Sequence, residues 1–462
     1  MHARLDRALA LVLLVVLHGA AWAQAPSPPL PAQDPLVVVT FANQPHLSTP
    51  PAGTTGRRYA GDLYGVSQTA HSESHRVAAD YGLTEVASWP IKALAAHCVV
   101  YRVRGERSLT DVLAALRKDP RVTLAQPLQH FHTLGASSAL RPNIDQTAGT
   151  PAQRDSPREQ PVATAQTPDG KAQAHVPAYN DPLYDLQTNL QALDIEAAHS
   201  RSQGAGVRVG LIDTGVDARH PDLRGRVIAT HSFIPSGTRT IQAYRHGTAM
   251  AGLIAAVANN GIGIVGIAPL ARIEVFEACW QLSLDSDAAE CNTFTLARAL
   301  AAALDSGVPI VNISIGGPSD PLLSALIAAG LKRGIIFVGS TGDSGDRFPT
   351  ATAGVIAVSG AEHVAPGAVF AVPASHVLTL HPDGQYEFES GTSVAAAQAT
   401  GIIALLLGVD SHLSADRVVS LLRSGSSERA AADATRVAVI SAGSIATALD
   451  FGPQRMAARA SR

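Results

Sequence analysis

The sequence predicts an α/β fold, a parallel β-sheet flanked by helices, preceded by a small α+β domain of ferredoxin-like order. Three observations carry this. From about Tyr179 onward, short continuous apolar runs alternate with helical stretches, the pattern of strands buried on both faces. Between residues 35 and 134 the periodicities read β-α-β-β-α-β. From Gly135 to Ala178, Pro, Gln, Ala, Ser and Thr dominate and no period is visible, so this stretch reads as a linker between two folded units.

The chain has 462 residues, enough for two or three domains, and 46% are apolar, enough to bury a sizeable core. The formal net charge is −3 with no long charged run, so nothing points to nucleic acid or a charged tail. At the N-terminus, Arg4 and Arg7 precede the apolar run from Ala8 to Leu17, and Ala21-Trp22-Ala23 follows. That order is a secretory signal peptide over residues 1–23. The run is short for a bilayer span, and no other stretch is long and apolar enough to cross one. Secretion, or release into a periplasm, is the expected destination. Three cysteines are present. Cys279 and Cys291 lie close in sequence, and export exposes them to oxidising conditions, which favours a local disulfide over two unpaired thiols. Cys98, in an apolar run, reads as a core residue.

The elements follow in order. Leu36 to Phe41 reads as a strand, Ser74 to Tyr81 as a helix, and Thr84 to Ala87 and Cys98 to Val103 as strands. Ser108 N-caps a helix to Lys118 with Leu109, Val112, Leu113 and Leu116 on one face, and Val122 to Leu124 closes the unit. Domain limits fall at 24–134 for this unit, 135–178 for the linker and 179–462 for the larger domain. In the latter, strands are expected at Val207 to Ile212, Ile273 to Phe276, Ile310 to Ile315, Ile335 to Val338 and Val355 to Ser359. Helices are expected at Gly247 to Ala258, Thr295 to Asp305, Pro321 to Lys332 and Ser393 to Leu407. Ligands of such sheets bind beyond the carboxyl ends of the strands, and the distinctive motifs fall there.

Leu211-Ile212-Asp213-Thr214-Gly215 ends a buried strand on a carboxylate, and His220-Pro221-Asp222-Leu223 follows. A carboxylate so placed can orient a histidine and stabilise its charged form. His246-Gly247-Thr248 opens an apolar helix, whose positive dipole end disfavours imidazolium and keeps His246 a neutral base. Ser390-Gly391-Thr392-Ser393-Val394-Ala395 opens another. A serine there is usually an N-cap; it can also be a nucleophile whose own N–H faces a developing oxyanion. A strand-end Asp, a helix-start His and a helix-start Ser are each weak alone. In the order Asp, His, Ser on one α/β domain they form a specific constellation, unlike the orders of the chymotrypsin and α/β-hydrolase triads.

With Val311-Asn312-Ile313-Ser314-Ile315-Gly316-Gly317 and the block Asn259-Asn260-Gly261-Ile262-Gly263-Ile264-Val265-Gly266-Ile267-Ala268-Pro269, the chain from Tyr179 to Arg423 resembles the subtilisin-like serine peptidases. The resemblance implies a secreted serine endopeptidase acting through Asp213, His246 and Ser393, with polypeptide substrates. It makes residues 24–134 a propeptide that assists folding, inhibits the enzyme as an intramolecular partner, and is cut away. It makes Ser314, Ile315 and Gly316 the edge that pairs with an extended substrate. Asp343 and Thr392 take the oxyanion positions. A structural calcium ion is implied, with Asp181, Asp222 and Asn260 supplying side-chain oxygens and Val257, Ile262 and Ile264 carbonyls. Departures matter: Ala249, Ala397 and Gln398 replace family residues, and Asp343 stands where an Asn usually donates to the oxyanion. An ionised carboxylate cannot donate. The competing reading is therefore an attenuated or inactive binding protein on the same fold.

Overall fold

The structure is a computed structural model that describes residues 35–44, 65–105, 107–134, 179–234, 244–281, 283, 288–342 and 346–460, with side chains described as far as residue 451. The signal peptide and linker expected at 1–23 and 135–178 lie outside the described residues.

The N-terminal unit consists of β1 (Leu36–Ala42), α1 (Gln68–Tyr81), β2 (Leu83–Ile91), β3 (Ala96–Val103), α2 (Leu109–Leu116) and β4 (Val122–Pro127). Its antiparallel sheet runs β2-β3-β1-β4, the order of a ferredoxin-like β-α-β-β-α-β unit. Helix α1 begins before its apolar stripe does, because Ser67 caps the Ala70 N–H at 3.1 Å and the first turn is polar. Strand β2 continues through Pro90, which an edge strand tolerates. Strand β1 is apolar except for Thr40 because both faces are covered. Val37, Val39 and Phe41 pack with Val77, Val112 and Leu116 of its own helices, and Val38 joins Ile91, Cys98 and Val100 in a core shared with the larger domain. Cys98 is fully buried, and burial pushes its thiol well up.

Strand β5 (His130–Thr133) begins after only Leu128 and Gln129, leaves that sheet and pairs only with the larger domain. That domain continues with α3 (Thr188–Ala192), α4 (Ile195–His199), β6 (Arg208–Asp213), β7 (Val227–Ser232), α5 (Arg245–Ala255), β8 (Arg272–Glu277), β9 (Trp280–Gln281), β10 (Ala289–Asn292), α6 (Thr293–Ser306), β11 (Ile310–Ile313), β12 (Ile315–Gly316) and α7 (Pro321–Lys332). It ends with β13 (Ile336–Ser340), β14 (Ile356–Gly360), β15 (Phe370–Val372), the hairpin β16 (Val377–His381) and β17 (Gln385–Glu389), α8 (Thr392–Val409), α9 (Ala415–Arg423), β18 (Ser427–Ala430), β19 (Arg436–Val439) and α10 (Ala442–Ala460).

The main sheet runs β18-β19-β15-β14-β13-β11-β6-β8-β7 and is parallel except for the β18–β19 pair. From β6 the chain builds one way to β8 and β7 and the other way to β11 and β13, so β6 and β11 flank the switch point where a crevice opens. Helices α5 and α8 cover one face and α6 and α7 the other. Helix α8 is long and apolar enough to cross a membrane, yet 83% of it is buried inside the protein, so it is the domain's central helix. The strand expected over Ile310 to Ile315 divides at Ser314: β11 stays in the main sheet, whereas β12 turns out to pair with β5.

The N-terminal unit is docked through polar as well as apolar contacts. The buried Asp320 carboxylate caps α7 at Leu323 N–H (3.0 Å) and accepts from Gln126 Nε2 and Thr293 Oγ1, both at 2.7 Å. Trp89 packs edge-to-face on Phe294, with ring centroids 5.0 Å apart.

Candidate active site

Asp213 is the last residue of β6 and has no exposed surface. Its Oδ1 accepts from the Thr214 N–H at 2.7 Å, and His246 Nδ1 lies 2.8 and 2.9 Å from its two oxygens. A buried carboxylate holding Nδ1–H fixes the tautomer in which Nε2 is the accepting nitrogen. His246 sits in the first turn of α5. Gly247 is required beside it: a Cβ there would stand 2.0 Å from the Gly215 carbonyl, and its N–H bonds to Thr214 Oγ1 at 3.1 Å. The histidine helix is thus pressed directly onto the aspartate loop.

Ser393 is the second residue of α8 and is buried. The N-cap position belongs to Gly391, with φ 128°, so the Ser393 hydroxyl is not spent on capping. Its Oγ donates to the Ser314 carbonyl at 3.3 Å. Beneath it runs a buried polar chain: Thr400 Oγ1 donates to Asn312 Oδ1 (2.9 Å), Asn312 Nδ2 to Ser314 Oγ (2.9 Å), and Ser314 Oγ to the Ser393 carbonyl (3.4 Å). Each member is satisfied by the next, which holds the start of α8 against β11. The sequence offered one signal for this chain, a lone Asn in an apolar strand, and none for Thr400.

Ser314, Ile315 and Gly316 line a groove, and that groove is filled by the protein's own chain. Strand β5 lies antiparallel between β12 and β10, with Thr133 opposite Ile315 and Phe131 opposite Cys291. The Leu134 N–H donates to the Ser314 carbonyl, and the Ser393 N–H donates to the Leu134 carbonyl, both at 3.3 Å. Sequence reading missed β5, whose four residues carry a single large apolar side chain. Thr392 begins α8 and is half-buried. Asp343, the other expected oxyanion residue, lies outside the described residues.

Cys279 and Cys291 are joined in a disulfide with Cα atoms 4.3 Å apart. The Cys279 N–H bonds to the Asp213 carbonyl at 3.2 Å, and Cys291 lies in β10, so the bridge ties the aspartate's neighbourhood to one groove wall.

The six residues expected to bind calcium do come together, but their contacts oppose a cation. Asp222 accepts from Asn260 Nδ2 (2.7 Å), from the Ile264 N–H (2.9 Å) and from the Tyr386 hydroxyl. Asp181 accepts from the Asn259 and Asn260 N–H groups at 2.7 and 3.3 Å, and Asn260 Oδ1 accepts from the Ile262 N–H at 3.0 Å. Val257 turns its N–H to the Asp222 carbonyl. Positive hydrogens already engage the side-chain oxygens that a calcium ion needs, and burial pushes both carboxyls upward in pKa. This residue set does not fit the ion. No cluster of three or more His, Cys, Asp or Glu suited to a metal occurs among the described residues.

Comparison with known proteins agrees with this architecture. The sequence pattern of the subtilase family matches residues 204–437. Thermitase of Thermoactinomyces vulgaris is 29% identical over 242 residues, covering 49% of this chain and 84% of thermitase. Subtilisin BL of Lederbergia lenta is 33% identical over 231 residues, covering 47% and 82% respectively. Among solved structures, fervidolysin from Fervidobacterium pennivorans, a keratinolytic enzyme related to subtilisin, superposes with a TM-score of 0.65 at 19% identity, over 90% of this chain and 61% of fervidolysin. At that identity the likeness concerns the fold.

Proposed function

The chain belongs to the subtilase family of serine peptidases, and from that premise we propose that Asp213, His246 and Ser393 are its catalytic triad and that residues 35–134 are a propeptide. Ser393 Oγ attacks the peptide carbonyl carbon while His246 Nε2 takes its proton. Asp213 keeps the Nδ1–H in place and stabilises the imidazolium. The tetrahedral oxygen, now negative, faces the Ser393 N–H and, by family resemblance, the Thr392 side chain. Collapse expels the amine, which takes the proton from His246. Water then repeats the sequence on the acyl-enzyme and returns Ser393.

One observation carries this reading. The Ser393 N–H, the donor assigned to the oxyanion, already holds a carbonyl of the same chain, that of Leu134, at 3.3 Å. The segment behind it runs antiparallel to the expected substrate edge at Ile315 and Gly316. The N-terminal unit therefore occupies the groove as a substrate or product would, which blocks other polypeptides until it leaves. Export to the periplasm or exterior is part of the proposal, supported by the residue order at the N-terminus and by the disulfide. The test is a serine-directed covalent probe on the purified protein: label should map to Ser393 and vanish in Ser393→Ala. Label elsewhere, or none on a protein that digests casein, would overturn the assignment.

A further inference from the structure

We propose that the groove selects a cationic side chain three residues before the scissile bond, through Asp346 on one wall and Glu290 on the other. This rests on the reading above, in which residues 131–134 lie as substrate. Counting back from the Leu134 carbonyl held by Ser393, Leu134 is the first residue before the cut, Thr133 the second, His132 the third and Phe131 the fourth.

The register is fixed independently at two of these positions. Phe131 is 1% exposed and packs edge-to-face on Phe348, with ring centroids 5.2 Å apart. Its place requires Gly317, where a Cβ would stand 2.4 Å from the Phe131 ring. Thr133 Oγ1 accepts from the Ala289 N–H of β10 at 3.1 Å. A slip of one residue would turn the Phe131 ring out of this pocket.

His132 then stands between two acids. Its Nε2 lies 3.3 Å from Asp346 Oδ2. In the β5–β10 ladder the residue directly opposite His132 is Glu290, which is half-buried. Side chains directly opposite in an antiparallel pair share a face, with Cβ atoms about 4.5–5.5 Å apart. In the β5–β12 ladder the residue opposite is Gly316, and its lack of a side chain is what admits Asp346: a Cβ there would meet Asp346 Oδ2 at 2.7 Å and Leu134 Cδ2 at 2.8 Å. The Asp346 side chain keeps only 13% of its surface, so it lies in the groove wall, while His132 keeps 52%. A carboxylate largely covered by protein attracts a partner's charge more strongly than one in water. Neutral histidine offers that carboxylate at most an N–H donor and a full positive charge only when protonated; Arg or Lys carries its charge throughout the neutral range. An acidic residue at this position would face two like charges. The preferred substrate class is thus a peptide reading aromatic, basic, small, Leu before the cut.

The test uses self-processed enzyme and quenched peptides built on Phe-His-Thr-Leu-Gly-Ala, with Arg, Gln or Glu in place of His. Arg should exceed Gln about fivefold and Glu about thirtyfold in kcat/KM, the scale of partly exposed charge pairs. Asp346→Asn should compress the Arg-to-Glu ratio severalfold, and Glu290→Gln should compress it further in the double variant. Equal cleavage of the three peptides by an enzyme that digests casein overturns the selectivity, as does an unchanged ratio in both variants. Should Asp346→Asn fail to fold, the wild-type peptide series and Glu290→Gln still decide. Casein digestion that survives Ser393→Ala would instead overturn the underlying site assignment.

Discussion

The Ser393 N–H donates to the Leu134 carbonyl at 3.3 Å, so the last described residue of the N-terminal unit rests on an amide in the first turn of the central helix. Two antiparallel walls hold the preceding four residues in line with it.

That contact predicts where the chain first cuts itself. Attack by Ser393 on the carbonyl it already binds would cleave Leu134–Gly135, and the mature protein should begin Gly135-Ala136-Ser137. N-terminal sequencing of the first processed form decides this. Ser393→Ala should remain full-length and lose on the order of a millionfold in kcat on casein. A first cut elsewhere would mean that β5 docks without being processed.

The Asp213–His246 pair predicts a different kind of loss. Asp213→Asn keeps the shape but offers an amide N–H₂ as well as an oxygen to Nδ1, so the histidine can adopt the wrong tautomer. The expected fall is about ten-thousandfold in kcat with KM little changed. A loss confined to KM would show that Asp213 serves the groove rather than the proton transfer.

Legibility followed physical cause. The parallel strands were readable because both faces are covered, so β6 carries the run Val209 to Ile212 between its polar ends and β11 is apolar except for Asn312. The candidate triad residues Asp213, His246 and Ser393 stood out because each sits in a local motif of unusual residues. β5 was not, because four residues with one large apolar side chain have no signal of their own; their partners, Ile315 and Cys291, lie more than a hundred residues away. Asp346 and Glu290 look like surface acids until β5 is laid between them. The calcium expectation named residues that do assemble, but it did not foresee Tyr386, whose hydroxyl arrives from the β16–β17 hairpin.

The disulfide yields a prediction about binding rather than chemistry. It closes a loop of separation 12 and anchors β10, the wall opposite Phe131. Replacing both Cys279 and Cys291 by Ser should cost about 2–4 kcal/mol of stability. Because Asp213 and His246 are held by their own sheet and helix, KM should rise more than kcat falls. Steady-state kinetics below the melting range separate the two; a loss in kcat alone would remove β10 from the substrate groove.

Asp343 predicts a gain. By the family resemblance, position 343 is where an Asn donates to the oxyanion; an ionised carboxylate there would repel the developing charge, and losing such a donor costs about 10²–10³ in kcat. A nearby negative charge favours the protonated, donating form, which low pH supplies, while His246 must stay neutral. Asp343→Asn should therefore raise kcat strongly at about pH 8 and less at about pH 5. Profiles of kcat against pH on one peptide check this, and equal or lower activity of the variant throughout would show that position 343 does not limit turnover.

Asp222 predicts the response to acid and to chelators. It is fully buried, and burial raises its pKa above the ordinary 3.8 despite the opposing Ile264 and Asn260 donors. For an acid whose folded pKa exceeds its unfolded pKa, the favourable contribution is complete below 3.8, is lost as pH rises through the folded pKa, and stays lost above it. Asp222→Asn cannot ionise, and its amide hydrogens face the Ile264 N–H and the Asn260 amide, so it should be less stable than wild type throughout. The deficit should be larger at about pH 4 than at about pH 7, because only wild type gains from protonation there. Tyr386→Phe removes a donor to the charged form and should steepen the wild-type dependence. Thermal melts of the three proteins across this range test the sign. The same melts at neutral pH with excess chelator should overlay those without it, because N–H and O–H groups already engage these oxygens. A melting temperature that climbs with added calcium would show that Asp222 and Asp181 exchange those donors for the ion, overturning the hydrogen-bonded assignment.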